Sequence, residues 1–211
     1  MPKINTFALQ ENIINLMKEQ LEDSRKTNIE LGFTMCANTD NIIDAKNISK
    51  RTDKEIFISS DCPSGFKSVG SYHTHPDVIS RASAGDLLNT CGHIGDCIGG
   101  GADNKIKCYV RKKNVDPIDC TKEFSEHRSI ELDLRARYED YERRRKLLLK
   151  ERERISMIEP RTRKIDIESR EIAKKMKEYN ISAIQSNKEM ESFGQKLLRL
   201  QNKYFDDIEI R

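Results

Sequence analysis

The chain has 211 residues, with 38 lysines and arginines against 35 aspartates and glutamates, a formal net charge of +3. That balance excludes a polycation made for nucleic acid or anionic lipid. No run of eighteen apolar residues is present, which excludes a helical membrane span.

Residues 9–25 carry Ile13, Ile14, Met17 and Leu21 at helical spacing. Strands are expected over 29–36, 41–48, 55–59 and 66–75. The stretch SAGDLLNTC, 83–91, opens with a serine three residues before an aspartate, which marks a helix start. Short strands follow around 96–100 and 105–111. Nine of the ten glycines and four of the five prolines precede residue 120, so residues 1–120 read as a compact, turn-rich α+β domain with a mixed sheet.

Residues 121–211 read as helical. Leu134, Tyr141, Leu148 and Ile155 recur every seven residues, and Pro160 then interrupts. Beyond it one row holds Ile165, Ile172, Tyr179, Ser186, Phe193 and Leu200. A second holds Ser169, Met176, Ala183, Met190, Leu197 and Tyr204, and ten of these twelve positions are apolar. A seven-residue repeat of this length predicts a coiled-coil seam, here a long helical hairpin around one proline. Each arm would span roughly 60 Å. The expected use is to project and to pair as a homodimer or with a helical partner. The basic run Arg143-Arg144-Arg145-Lys146 lies among Glu139, Asp140, Glu142, Glu151 and Glu153 and reads as a salt-bridged helix face, not a nucleic-acid contact.

The N-terminus lacks the continuous apolar core of a signal peptide, so a cytoplasmic protein is expected. The six cysteines (36, 62, 91, 97, 108, 120) are then expected as buried or half-buried reduced thiols. None are spaced C-x-x-C, which argues against a structural zinc knuckle.

Chemistry concentrates in His73-Thr74-His75. On a strand, residues i and i+2 share a face, so the two imidazoles converge, as zinc requires. Asp86 follows His75 by eleven residues at the start of the expected helix. Its carboxylate can reach the same site as a third ligand and leave a fourth position open, the pattern of a catalytic zinc. Ser83 can donate to a developing oxyanion or simply cap the helix. A hydrolase also needs a base. Glu30, among apolar neighbours in NIELGFTMC, is the candidate, because a carboxylate there is costly to bury without a partner. His93 reads as a loop or helix-end residue, His127 as solvated, and Gly99-Gly100-Gly101 as a turn, since no Lys-Ser or Lys-Thr follows.

Taken together, Glu30, His73-Thr74-His75-Pro76 and Ser83-Ala84-Gly85-Asp86, with ten residues between His75 and Asp86, resemble the signature of the JAMM (MPN+) zinc metalloproteases. GSYHTHP and the strand-like NKIKCYV are similar to archaeal-type members. The resemblance spans roughly residues 8–120. It implies a mixed-sheet MPN domain of cytidine deaminase-like fold and one Zn2+ per chain held by His73, His75 and Asp86. It implies Glu30 as the base that passes a proton to the leaving amine, and Ser83 as an oxyanion donor. The implied reaction is isopeptide or amide hydrolysis after the C-terminal glycine of a ubiquitin-like protein. The glycine-rich run that often follows the glutamate is only partly present in Glu30-Leu31-Gly32-Phe33, and no insertion for distal ubiquitin recognition is obvious. Two other readings stay open: an MPN-type assembly scaffold, and a zinc peptidase for small peptides or sulfur-carrier adducts.

Overall fold

The structure is a computed structural model. It describes residues 3–4, 7–38, 43–50, 58, 61–158 and 163–210. The element order is β1 (Lys3–Ile4), β2 (Phe7–Ala8), α1 (Glu11–Thr27), β3 (Leu31–Ala37), β4 (Ile43–Lys50), β5 (Lys67–His75), α2 (Ala84–Cys91), β6 (Gly95–Gly100), β7 (Lys105–Arg111), α3 (Pro117–Ser156), α4 (Arg163–Tyr204) and β8 (Phe205–Ile210). The class is α+β. Pro160, and all but Ile58 of the strand expected over 55–59, lie outside the described residues. The chain divides into two compact units, Met1–Glu126 with Arg199–Arg211, and His127–Leu198.

Among the described residues of the first unit, six strands form one sheet in the order β4-β3-β5-β6-β7-β8. All neighbours are antiparallel except β5 and β6, which are parallel and joined through α2. Ile13, Met17 and Leu21 stand on one stripe of α1 and are buried. With Leu9 they pack on Phe33, Met35 and Tyr72 of the sheet. The hydrophobic gain is about 1.5–3 kcal/mol for each such fully buried side chain. α1 ends at Asn28, whose φ of 54° is left-handed, a conformation asparagine tolerates.

Thr74 faces this same layer. It is fully buried, donates to Ser24 Oγ at 2.7 Å and accepts from the Leu31 N–H at 2.9 Å. The threonine between the histidines therefore anchors β5 to α1 and to the start of β3. The alternation of the strand then turns both imidazoles to the opposite face.

Two findings differ from the sequence reading. The cysteines are not reduced thiols. Cys36–Cys62, Cys91–Cys120 and Cys97–Cys108 are disulfides, and no free cysteine remains. They close loops of 26, 29 and 11 residues. In the chain-entropy account each is worth on the order of 3 kcal/mol. Such bonds persist in oxidising compartments or inside hyperthermophiles. Cys97 and Cys108 sit directly opposite in the β6–β7 ladder, a pairing set by register that nothing in their spacing reveals. The second difference is the end of the chain. Residues read as helical turn into β8, whose alternating FDDIEI pairs antiparallel with β7 from Ile106↔Ile210 to Arg111↔Phe205. The sheet supplies hydrogen-bond partners that the local helical pattern could not foresee.

Within the second unit, contacts run His127 to Phe193, Arg137 to Glu189 and Tyr141 to Tyr179, so α3 and α4 pair antiparallel. Leu134 and Ile155 of α3 are buried, as are Ile172, Phe193 and Leu197 of α4. Tyr141, Leu148, Met176, Tyr179 and Ala183 are half-buried. Several members of the apolar rows are thus shielded from solvent, while Met190 stays 40% exposed. His127 is half-buried, its ring 6.1 Å from that of Phe193, and not simply solvated. No helix is long and apolar enough to cross a membrane among the described residues.

Candidate metal centre

His73 and His75 project from the last turns of β5's pleat, with side chains 12% and 16% exposed. Asp86 reaches them from the first turn of α2 and is 18% exposed. The Nε2 atoms of the two histidines lie 3.1 Å apart. Asp86 Oδ1 is 3.3 Å from His73 Nε2, and Oδ2 is 3.8 Å from His75 Nε2. One ligand atom from each residue lies within 4.8 Å of the others. A tetrahedral ion with bonds of about 2.0–2.1 Å separates its ligands by about 3.3 Å. The cluster therefore has the dimensions of a small divalent cation's shell, with a fourth position left to solvent or substrate. Two imidazole nitrogens aimed at one point also need a proton or a cation between their lone pairs.

The backbone explains how Asp86 arrives there. Ser83 caps α2: its Oγ accepts from the Asp86 N–H at 3.1 Å, and Asp86 Oδ2 accepts from the Ser83 N–H at 2.8 Å. This reciprocal capping box holds the carboxylate rotamer while leaving Oδ1 toward His73. The segment before α2 is clamped as well. Ser80 donates from N and Oγ to Asp103, and Tyr109 OH accepts from Ala82 N–H and donates to Ser80 O. Glycines make room for this loop. A Cβ on Gly100 would lie 2.0 Å from Ser80 N, and one on Gly101 1.9 Å from Pro76 O. The glycine run read as a turn thus closes β6 and lets the motif's loop lie directly on backbone.

Electrostatics favour an ionised Asp86. Burial by itself raises its carboxyl pKa, but the imidazoles of His73 and His75 and the Ser83 N–H outweigh burial and hold it well below the usual carboxylate range. His73 shows the converse. Burial disfavours its cation, while Asp86, then Asp96 and Glu30, bring its pKa above the ordinary imidazole value. A cation seated here replaces that proton.

Glu30 precedes β3 by one residue and is half-buried. The register Gly32↔His73, continued two residues back, sets it level with His75 on the same face. Its charge acts on His73. Ser83 takes the capping position, where its Oγ accepts the Asp86 N–H through an oxygen lone pair.

Asp96 escaped the sequence reading, and so did its pairing with His93, which lies just past the end of α2 as its position suggests. Asp96 is 2% exposed and stands beside Ser71 in the β5–β6 register. It accepts from Ser71 N–H, from Ser71 Oγ at 2.9 Å and from His93 Nδ1 at 3.0 Å. The Arg111 guanidinium donates to His93 O at 3.1 Å. The available signal was an acidic residue inside the apolar strand GDCIGG, where burial demands partners.

No family model matches the chain, and no curated protein does. Among solved structures it is similar to a JAB1/MPN domain protein from Archaeoglobus fulgidus. The likeness covers 45% of this chain and 83% of that chain, at 24% identity and a TM-score of 0.32.

Proposed function

We propose that this chain is a JAMM-type zinc hydrolase that cleaves an amide or isopeptide bond, with the carboxyl side supplied by the C-terminal glycine of a ubiquitin-like protein. The observation that carries the reading is the convergence of His73, His75 and Asp86 at the spacing of a tetrahedral ligand shell. His73, His75 and Asp86 hold the ion. Zinc bound there supplies Lewis acidity and an acidified water. Glu30, on the same face, accepts the proton of the attacking water and returns it to the leaving amine. Ser83, whose oxygen is fixed by the cap, donates its hydroxyl hydrogen to the charge developing on the substrate carbonyl oxygen. The cysteines have no part in bond cleavage, since all six are in disulfides.

The helices of 127–198 are read as a coiled-coil hairpin that engages a second copy or a helical partner. Ile167, Ile181 and Ile184 remain 50%, 61% and 58% exposed on α4 and offer the surface for it.

The test is hydrolysis of glycine-terminated isopeptide conjugates by wild type beside Glu30→Ala, each loaded with zinc. Loss of about 10²–10⁴-fold in rate, with zinc retained, is expected for the variant. Equal rates would remove Glu30 from the mechanism. No cleavage by a zinc-loaded wild type would leave a scaffold or a different amide substrate.

A further inference from the structure

We propose that the Cys91–Cys120 disulfide is a positioning device for the metal centre, so that the chain reaches full metal affinity only in its oxidised form. This deepens the metal reading above and rests on it.

Asp86 is carried by α2. α2 has eight residues, Ala84–Cys91, too few to be stable by itself. Its place in the fold is therefore set by what grips it. The Ser83–Asp86 capping box is internal to the segment and moves with it, so it shapes the helix without anchoring it. The segment before the helix is anchored, through Ser80 to Asp103 and through Ala82 to Tyr109. Ala84, Leu87 and Thr90 bury one side of the helix by noncovalent packing.

At the far end the covalent grip is Cys91. It is fully buried and bonded to Cys120, also fully buried, in the first turns of α3. Cys120 stands four residues before Phe124, whose ring lies 6.0 Å from Tyr204 and 5.6 Å from Phe205. The disulfide thus ties the end of α2 to an aromatic cluster at the start of β8.

Magnitudes make this tie matter. Asp86 and Cys91 are separated by about 7.5 Å of helix rise. A two-turn helix transmits a slide at one end to the other almost undiminished. Ligand distances in a metal site hold to within about 0.2 Å, and a functional constellation fails when it loosens by about 0.5 Å. Asp86 lies 3.3 and 3.8 Å from the two imidazole nitrogens, so it has no slack to lose. The other two disulfides do different work. Cys97–Cys108 joins strands that the ladder already pairs, and Cys36–Cys62 ties the segment before β5 to β3. Neither holds α2.

Formation of the bond is an ordinary thiol–disulfide exchange. The thiols of Cys91 and Cys120 lose two electrons and two protons, and an oxidant of the disulfide class is reduced to its two thiols.

The test uses the full chain in three forms: wild type, Cys91→Ser with Cys120→Ser, and Cys36→Ser with Cys62→Ser. Zinc affinity is measured by competition with a chelator, and the ligand sphere by the visible absorption of bound Co2+. Circular dichroism checks the fold. Cys91→Ala with Cys120→Val, which keeps the site apolar, is the second variant should the serine pair fail to fold. We expect the Cys91/Cys120 variant to bind zinc about 10–100-fold more weakly, the usual cost of losing a ligand's support. Its cobalt absorption should shift and weaken relative to wild type, as a loosened ligand sphere requires. The Cys36/Cys62 variant should match wild type in both. Equal affinity and spectrum in all forms, or equal weakening in both double variants, would overturn the disulfide's role. Failure of the wild type to bind either metal would overturn the metal centre itself, a result distinct from the first.

Discussion

Polar residues behave differently in the two units of this chain. In the sheet unit several are buried and individually partnered, though pairs such as Glu22–Lys26 and Lys105–Glu209 stay exposed: Thr74 between α1 and β3, Asp86 between its cap and two imidazoles, Asp96 between Ser71 and His93. In the helical unit they form exposed ion pairs. Arg137 and Glu189 are 54% and 38% exposed, and Arg143 and Asp140 are 74% and 32% exposed. Burial raises the cost of an unsatisfied polar group and the strength of each contact that satisfies it. Charge in the first unit therefore carries geometry and chemistry. Charge in the second carries solubility, while its apolar rows carry the packing.

The largest effect separating the two should come from Asp86→Ala. The purified wild type is expected to hold about one zinc per chain by elemental analysis, since three protein ligands define one site. The variant should lose it, together with about 10³-fold or more of any hydrolysis. Full zinc retention would break the ligand assignment. Thr74→Val comes next. It keeps the volume but strands the buried Leu31 N–H and Ser24 hydroxyl, and should cost about 1–3 kcal/mol in denaturant melts. A neutral result would mean that Thr74 does not fix β5.

His93 tests the comparison through pH. The hydrogen bond to Asp96 raises its pKa above the ordinary value, and burial opposes that less strongly. A raised folded pKa means stability that is present below the unfolded value of about 6.5 and is lost as pH rises through the folded one. NMR titration of the His93 ring should show the raised value, and Asp96→Asn should remove the rise. A His93 that titrates at or below the unfolded value would refute the pairing. Smallest is Arg137→Ala. An exposed pair is worth less than about 1 kcal/mol, and raising the salt concentration should erase most of the difference. A larger loss would mean that the helical unit also stores energy in its charges.

Local patterns were legible wherever one face of one element carried the information. The period of two in His73-Thr74-His75 put both imidazoles on one side, and the structure brings Asp86 to them. The spacing of Ile13, Met17 and Leu21 marked the buried stripe of α1, and the seven-residue rows include the buried Leu134, Ile155, Ile172, Phe193 and Leu197 of α3 and α4. Ser83 was legible as a cap because the cap and its helix are adjacent in sequence. Other features depend on partners distant in the chain. β8 exists because β7 offers an open edge, although its residues follow a long helix and read as part of the helical region. Cys91 meets Cys120, and Cys97 meets Cys108, because a sheet register and a helix root bring them together. Asp96 finds Ser71, twenty-five residues away in sequence, through the parallel pairing of β5 and β6. By itself, then, the sequence determined the periodicities, the caps and the kinds of ligand, which are local properties of side chains at fixed spacing. Only the tertiary structure decided which cysteines bond, which strand closes the sheet and which buried carboxylate stands beside Ser71 and His93. Those contacts are set by the packing of the whole chain, where distance in space is independent of distance in sequence.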